Sequence, residues 1–281
     1  MVVIGGALVV LISVLVGFSM AGGKIGALLH LSEFVTIGGA TLGALLIMAP
    51  TKVIKDLVRG ILQTLKGSPY GKATCTELFK LLYGLARLVR QEGLLALDAH
   101  VTKPDESALF QQFPKVSKNH HASHFLCDAL AMIIDGTVES AQLQVWLEEE
   151  IKVVEREHHA ATGALAKTAD GLPGFGIVAA VLGIVVTMAS IGGPVDEIGH
   201  KVGAALVGTF LGILMAYGFF APLAARMEAL GEQEILFLRA LSVGVVAIND
   251  GVSPKDVVTR ARRIVGTDCR PNQAEVKDMF G

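Results

Sequence analysis

Hydrophobic positions in this chain follow two regimes. In four stretches they run almost without interruption, and between those stretches they recur with the period of an amphipathic helix. The continuous stretches are residues 2–21 (VVIGGALVVLISVLVGFSMA), 34–49 (FVTIGGATLGALLIMA, closed by Pro50), 172–191, and 202–225 (VGAALVGTFLGILMAYGFFAPLAA). A helix that crosses a bilayer needs about 20 mostly apolar residues, so the pattern predicts four membrane spans. No positive charge precedes the first, and Ser19-Met20-Ala21 is a poor cleavage site, so it is expected to stay as a span rather than leave as a signal peptide.

The remaining segments read as helices. In TELFKLLYGLARLVRQEG the apolar residues 78, 81, 82, 85, 88 and 89 share one face, Lys80, Arg87, Arg90 and Gln91 lie off it, and Gly93 is a stop. LLALDAHV follows, and KPDES marks a break and restart. A helix is expected from about Ser123 to Ile134, ending at Asp-Gly-Thr. Another begins near Val138, with Leu143, Leu147, Ile151 and Val154 spaced 4-4-3. Near the C-terminus EQEILFLRALSVGVVAINDG stops at Asn249-Asp250-Gly251. SPKDVVTRARRIV then opens with Ser253 as N-cap and Pro254 in the first position. No strand pattern stands out. The expected fold is all-α: a polytopic membrane protein with four transmembrane helices and a helical cytoplasmic domain. Its segments are 1–50 (spans one and two), 51–171 (cytoplasmic), 172–225 (spans three and four) and 226–281 (cytoplasmic tail).

Charge fixes the orientation. Of the 24 Lys and Arg, only Lys24 and Lys201 fall in the short connections within the two hairpins. Lys52, Lys55 and Arg59 closely follow span two, Lys167 precedes span three and Arg226 follows span four. Cytoplasmic flanks carry the excess of Lys and Arg, so both termini and the polar segments are expected in the cytoplasm. Composition agrees: 52% of residues are hydrophobic and 18% charged, fewer charges than the roughly 25% of soluble domains. The net charge of −2 offers nothing to nucleic acid. Cys75, Cys127 and Cys269 are scattered and form no CxxC pattern, as expected of a reducing compartment.

Candidate chemistry is sparse. The histidine clusters NHHASH (His120, His121, His124) and REHH (His158, His159) lack HExxH spacing and a nearby cysteine, and read as surface residues rather than metal ligands. No phosphate-binding loop and no nucleophile elbow are present, so no enzyme, cofactor or metal centre is expected. The spans say more. Pro173, Gly176, Ala180, Gly183 and Thr187 are spaced 3-4-3-4 in span three, and Ala205, Thr209, Gly212 and Ala216 are spaced 4-3-4 in span four. Each set is a stripe of small or hydroxyl-bearing residues. It serves close helix packing, as do Gly208-x-x-x-Gly212 and Gly39-x-x-x-Gly43, or a wall facing a cavity or partner helix, or both. Pro173 and Pro222 free backbone carbonyls and permit bends. No ionisable residue is expected inside a span, with Glu33 and Asp170 at the edges. Proton pathways normally use an ionisable group at depth, so another polypeptide would have to supply it.

The order of these segments, together with LPGFGIVAAVLGIV, VGTFLGILMAYGFFAPLA and RQEGLLALDAHVTKPDES, resembles the MotA family of flagellar motor stator subunits over nearly the whole chain. ExbB and TolQ energisers share the pore type but not the RQEGLLALDAHVTKPDES segment, and remain the alternative. A secondary transporter, a third class, would want intramembrane charge or broken, polar-lined helices. The MotA resemblance implies a ring of five subunits around two MotB chains. MotB supplies the proton-binding Asp and the peptidoglycan anchor. It further implies an inner-membrane location, and ion flow that drives rotation against the rotor protein FliG. It carries rotor contact onto Arg90, with Arg87 beside it, onto Asp98, where the family often has Glu, and onto Glu150. Pro173, Pro222 and Thr209 match its functional prolines and its hydroxyl beside the ion site. Sodium-driven relatives carry threonine at the position of Ala180, so the methyl here favours protons over sodium.

Overall fold

The computed structural model describes residues 2–136, 138–189 and 191–280. Ser190, near the end of the expected third span, and Thr137 of the Asp-Gly-Thr stop lie outside them. The chain is helical, with no strand among the described residues. Its helices are α1 (Val2–Met20), α2 (Leu31–Met48), α3 (Thr51–Lys66), α4 (Lys72–Glu92), α5 (Asp98–Val101), α6 (Ala108–Gln111), α7 (Pro114–Ser117), α8 (His120–Ile134), α9 (Ser140–Met188), α10 (Val195–Met215), α11 (Ala221–Asn249), α12 (Pro254–Arg262) and α13 (Gln273–Phe280). Among the described residues four runs are long and apolar enough to cross a membrane: Val2–Met20, Ile25–Met48, Ser140–Met188 and Val195–Asn249.

Two units divide the chain. One is Met1–Gly67 with Glu157–Ala229, and the other is Ser68–Arg156 with Leu230–Gly281. Neither is a continuous stretch, because α9 and α11 each contribute to both. The composition shift at 171–172 is not a break in the backbone: α9 passes through it as one 49-residue helix with Pro173 inside.

In the first unit, Ile37, Leu172, Ala179, Val207, Leu211 and Ala216 form one buried cluster. A second cluster joins Leu57 of α3 to Ala161, Leu165, Ala224 and Met227. Helix α3 is amphipathic, and Gly60 lets it approach α11: a Cβ there would lie 2.9 Å from Met227 Cε. Lys52 on the same helix pairs with Glu157 of α9. By contrast α1 is apolar all round and buries none of its residues, as fits a helix whose neighbour is lipid. Exposed Ile177, Val181, Ile184 and Val185 give α9 a similar outer face.

The second unit has an ordinary water-soluble core. Leu78, Leu81, Leu82 and Leu85 of α4 are fully buried, with Phe79, Leu126, Leu130, Phe237 and Leu241 around them. The expected face of α4 is therefore the one that packs. Gly93 ends the helix at φ 88 and ψ 174, a region essentially reserved for glycine. Ser253 caps α12 by accepting from Asp256 N–H, with Pro254 opening the helix. Asn119 caps α8 by accepting from Ala122 N–H, and its Nδ2 donates to Tyr70 Oη at 3.1 Å. The three cysteines are free and buried. Burial pushes each thiol up, Cys127 to about 11, so none is a ready thiolate.

Candidate functional site

The stripe on α9 and the stripe on α10 face each other. A Cβ built on Gly176 would stand 2.8 Å from Gly208 O, 3.1 Å from Gly212 Cα and 3.3 Å from Thr209 Cα. One built on Gly183 would stand 2.8 Å from Ala205 Cβ, and one on Gly212 would stand 2.7 Å from Leu172 O. Gly176 and Gly212 meet backbone and Gly183 meets the Ala205 methyl, approaches so close that only glycine admits them. Gly176, Gly183, Ala205, Thr209 and Gly212 thus meet in one seam inside a single chain. The space that the small residues leave is taken by the chain's own helix along this face.

Around the seam, Ala180 and Ala205 are buried, Thr209 and Pro173 are half-buried, and Pro222 is exposed. Thr187 is buried, and its hydroxyl donates to Gly183 O at 2.8 Å. That bond leaves the oxygen's lone pairs as what a passing ion or water could use. Between α10 and α11 the backbone makes a π-helical turn, Ala216–Phe220, immediately before Ala221-Pro222. Proline has no N–H to give and its ring crowds the carbonyl four residues back, here Gly218. A wider turn relieves that crowding. Such turns cluster at functional sites. Helical periodicity could not reveal the turn, although Pro222 after Gly218 signalled a local defect.

One expectation about the spans fails. Helix α2 starts three residues before the apolar run, at Leu31, so Glu33 lies in its first turn. Glu33 is 6% exposed, and its Oε2 has no hydrogen-bond partner. Glu33, Ile37 and Thr41 form the buried face of α2, and the Thr41 hydroxyl also lacks a partner. The spans are therefore not free of ionisable groups. The apolar run begins only at Phe34, which leaves Glu33 at the edge of the span when hydropathy alone sets the helix start. The 4-4 spacing of residues 33, 37 and 41 was the available signal.

In the second unit Arg87 and Arg90 are exposed near the end of α4, and Asp98 is exposed as the first residue of α5. Thr102 Oγ1 donates to Asp98 Oδ1 at 3.3 Å. Glu150 is half-buried on α9, and burial first, then the charge of Asp128, holds its carboxyl above the ordinary range. Nearby, Arg239 reaches Glu148 at 3.3 Å and Glu155 at 3.5 Å, tying α11 to α9. Among the described residues no group of three His, Cys, Asp or Glu side chains could hold a metal ion. His120 and His124 share a face, with ring centroids 6.2 Å apart.

Comparison with known proteins gives the family and the fold. Residues 4–93 match the family described as Motility protein A N-terminal. Residues 117–239 match the MotA/TolQ/ExbB proton channel family. Motility protein A of Salmonella typhimurium is 34% identical over 278 residues, 99% of this chain and 94% of that protein. The chemotaxis protein LafT of Vibrio parahaemolyticus is 35% identical over 272 residues, 96% and 95% respectively. Among solved structures, the flagellar MotAB stator complex from Bacillus subtilis aligns with a TM-score of 0.75 at 26% identity, covering 91% of this chain and 92% of the other. C. jejuni MotAB shares the fold, with a TM-score of 0.80 at 21% identity and 96% and 98% coverage.

Proposed function

The chain belongs to the motility protein A family of MotA/TolQ/ExbB proton channel proteins, and from that premise we propose how it works as a stator subunit of the flagellar motor. With a partner of the MotB kind it forms a membrane channel whose ion flow turns a ring of subunits, five around two partner chains. The two partner chains bring the aspartate that carries the ion across and the anchor to the cell wall. Helices α9 and α10 form the wall of the passage: Gly176, Gly183 and Ala205 hold the two helices together, Pro173, Ala180, Thr187 and Thr209 flank that seam, and Pro222 stands at the cytoplasmic end. Arg90 and Asp98, supported by Arg87 and Glu150, push the rotor protein FliG. Both termini and the second unit lie in the cytoplasm, beneath the inner membrane.

One observation carries this reading: the end-to-end match to motility protein A, which includes both the paired spans and the helical segment that bears Arg90 and Asp98. An energiser of the ExbB or TolQ type is not favoured, since Motility protein A and the chemotaxis protein LafT are the relatives that match over nearly the full length at more than 30% identity. The channel role rests on binding and electrostatics, not on a nucleophile or a metal. Exposed charges suit a moving contact, because such pairs orient partners and release quickly.

The test is complementation. The chain, with its single-span partner, is expressed in a flagellated strain that lacks stators, and swimming is scored at fixed pH with and without sodium. Swimming in both media is expected for a proton-driven stator. Swimming only with sodium overturns the proton reading, and no swimming despite membrane insertion of both chains overturns the stator reading.

A further inference from the structure

Building on the stator reading above, we propose that Leu95 is the apolar anchor of the rotor contact. It is the side chain that a socket on the rotor holds, while Arg90 and Asp98 on either side orient the approach. Between α4 and α5 the chain makes one 3₁₀ turn, Leu94–Leu97, entered through Gly93 at φ 88. The Ala96 N–H donates to Gly93 O at 3.2 Å, and the Asp98 N–H donates to Leu95 O. Residues three apart are eclipsed in such a turn. Leu94 and Leu97 therefore point one way, and Leu95 and Asp98 the other. Burial follows the same division. Leu97 is fully buried and Leu94 packs against the same core, whereas Leu95 is 77% exposed and Asp98 is exposed beside it.

Scattered apolar residues on a surface need no explanation, but two facts set Leu95 apart. Among the described residues of the second unit, four large apolar side chains are exposed: Leu95, Val145, Trp146 and Val153. The last three share α9, and Leu95 stands apart from them in the segment that bears the exposed charges. Its position is also fixed. The buried Leu97 anchors the turn from within, and beyond it the Thr102 N–H donates to Asp98 O at 3.0 Å. Leu95 is thus a knob on a rigid base, with a cation five residues before it and an anion three residues after it.

The division of labour follows from physics. Charges that water reaches steer and orient two partners but add little affinity, and salt screens them. Affinity comes from a few side chains that enter a dry pocket ringed by polar contacts. Arg90 and Asp98 are exposed and supply the ring. Leu95 supplies the centre. The surface that receives it carries an apolar socket, with an acidic group on the side of Arg90 and a basic group on the side of Asp98. Under load, screened charges alone slide past one another, whereas a seated side chain has to be drawn out of its socket.

Leu95→Ser removes the apolar body at an exposed position and so spares the core. Leu95→Met keeps length and apolar character. Both, with Arg90→Glu for comparison, are expressed with the partner chain in the stator-less strain, and stall torque per stator is read from tethered beads. The purified complexes are tested for thermal unfolding, for proton uptake in proteoliposomes, and for binding to purified FliG over a range of salt concentrations. Leu95→Ser is expected to keep wild-type unfolding and proton uptake. It is expected to bind FliG several-fold more weakly with the salt dependence unchanged, and to lose stall torque several-fold. Leu95→Met stays near wild type, and Arg90→Glu flattens the salt dependence instead. Wild-type torque and FliG binding in Leu95→Ser overturn the proposal. So does an equal loss in Leu95→Met, and so does a lowered unfolding temperature in Leu95→Ser, which makes Leu95 a residue of the fold. If Arg90→Glu binds FliG and turns the rotor as wild type does, the rotor reading itself fails, and that outcome is separate from the others.

Discussion

Gly176 and Gly212 stand against each other with no side chain between them. A Cβ on the first would lie 3.1 Å from the second's Cα, and a Cβ on the second 2.9 Å from the first's Cα. The neighbouring obstacles are backbone atoms, Gly208 O and Leu172 O, which cannot swing aside. Gly212→Ala is therefore expected to destabilise the first unit by about 1–3 kcal/mol, the usual cost of overpacking. Gly203→Ala, at a glycine with nothing within 4 Å, is the control and is expected to be neutral. Thermal unfolding of the detergent-purified protein, with membrane levels, measures both.

Arg90 and Asp98 are exposed and lie outside the core. Surface substitutions of this kind shift stability by only about 0.5 kcal/mol or less. Arg90→Glu and Asp98→Lys are expected to leave membrane level and partner binding unchanged but to abolish or sharply reduce motility. Opposite charge changes on the rotor are expected to restore part of it. Soft-agar swarming of the single and paired strains decides the matter, and normal swimming by Arg90→Glu removes that residue from the rotor contact.

Gly93 sets the turn between the helix of Arg90 and the helix of Asp98, at φ 88 and ψ 174. An L side chain there is strained by about 1–3 kcal/mol. Gly93→Ala is expected to lower the unfolding temperature and to reduce torque at a given stator number, because the two charges lose their fixed spacing. Stall torque per stator, counted by stepwise resurrection, reads the second effect apart from the first.

Glu150 supplies a pH test. Its carboxyl is raised by burial and then by Asp128. A carboxyl raised on folding binds its proton more tightly in the folded state. Stability therefore falls as pH climbs from the ordinary carboxylate value through the raised one, and stays lower above it. Glu150→Gln is expected to raise the unfolding temperature slightly at pH 7 and to match wild type near pH 3, below both values. The effect is small because solvent still reaches the group. Equal unfolding curves at both pH values would show that the carboxyl is not strained by its surroundings.

Pro222 follows the π turn at Ala216–Phe220. Pro222→Ala restores a donor N–H and removes the crowding of Gly218 O, so an ordinary α turn can form there. Normal assembly with slowed rotation is expected. Rotation at wild-type speed across loads would show that the wide turn plays no part in gating.

Much of the fold was legible because burial imposes a period. Residues 78, 81, 82 and 85 announced the packed face of α4, and Ser253-Pro254 announced the start of α12. Other features were not legible, for identifiable reasons. The border drawn at 171–172 tracked a change of solvent, from water to lipid, to which hydrogen bonds along a helix are indifferent, so α9 continues across it. Glu33 reads as a residue at the edge of its span because hydropathy weighs residues by type, while its burial is set by α10, a partner remote in sequence. The seam was half legible: the 3-4-3-4 spacing gave the stripe, and the spacing alone left open what would fill it.

The buried face of α2 has a consequence for biosynthesis. Glu33 is covered by α10, and Thr41 lies on the same buried face of α2, yet α10 emerges only after the whole of α3 to α9 has been made. During that interval the first hairpin sits in the bilayer with a carboxylate and a hydroxyl facing nothing of its own chain. Insertion machinery, lipid headgroups or water must attend to them until the second hairpin arrives. The polar face that equips the finished channel thus makes its first half dependent on a holding partner while the ribosome is still at work.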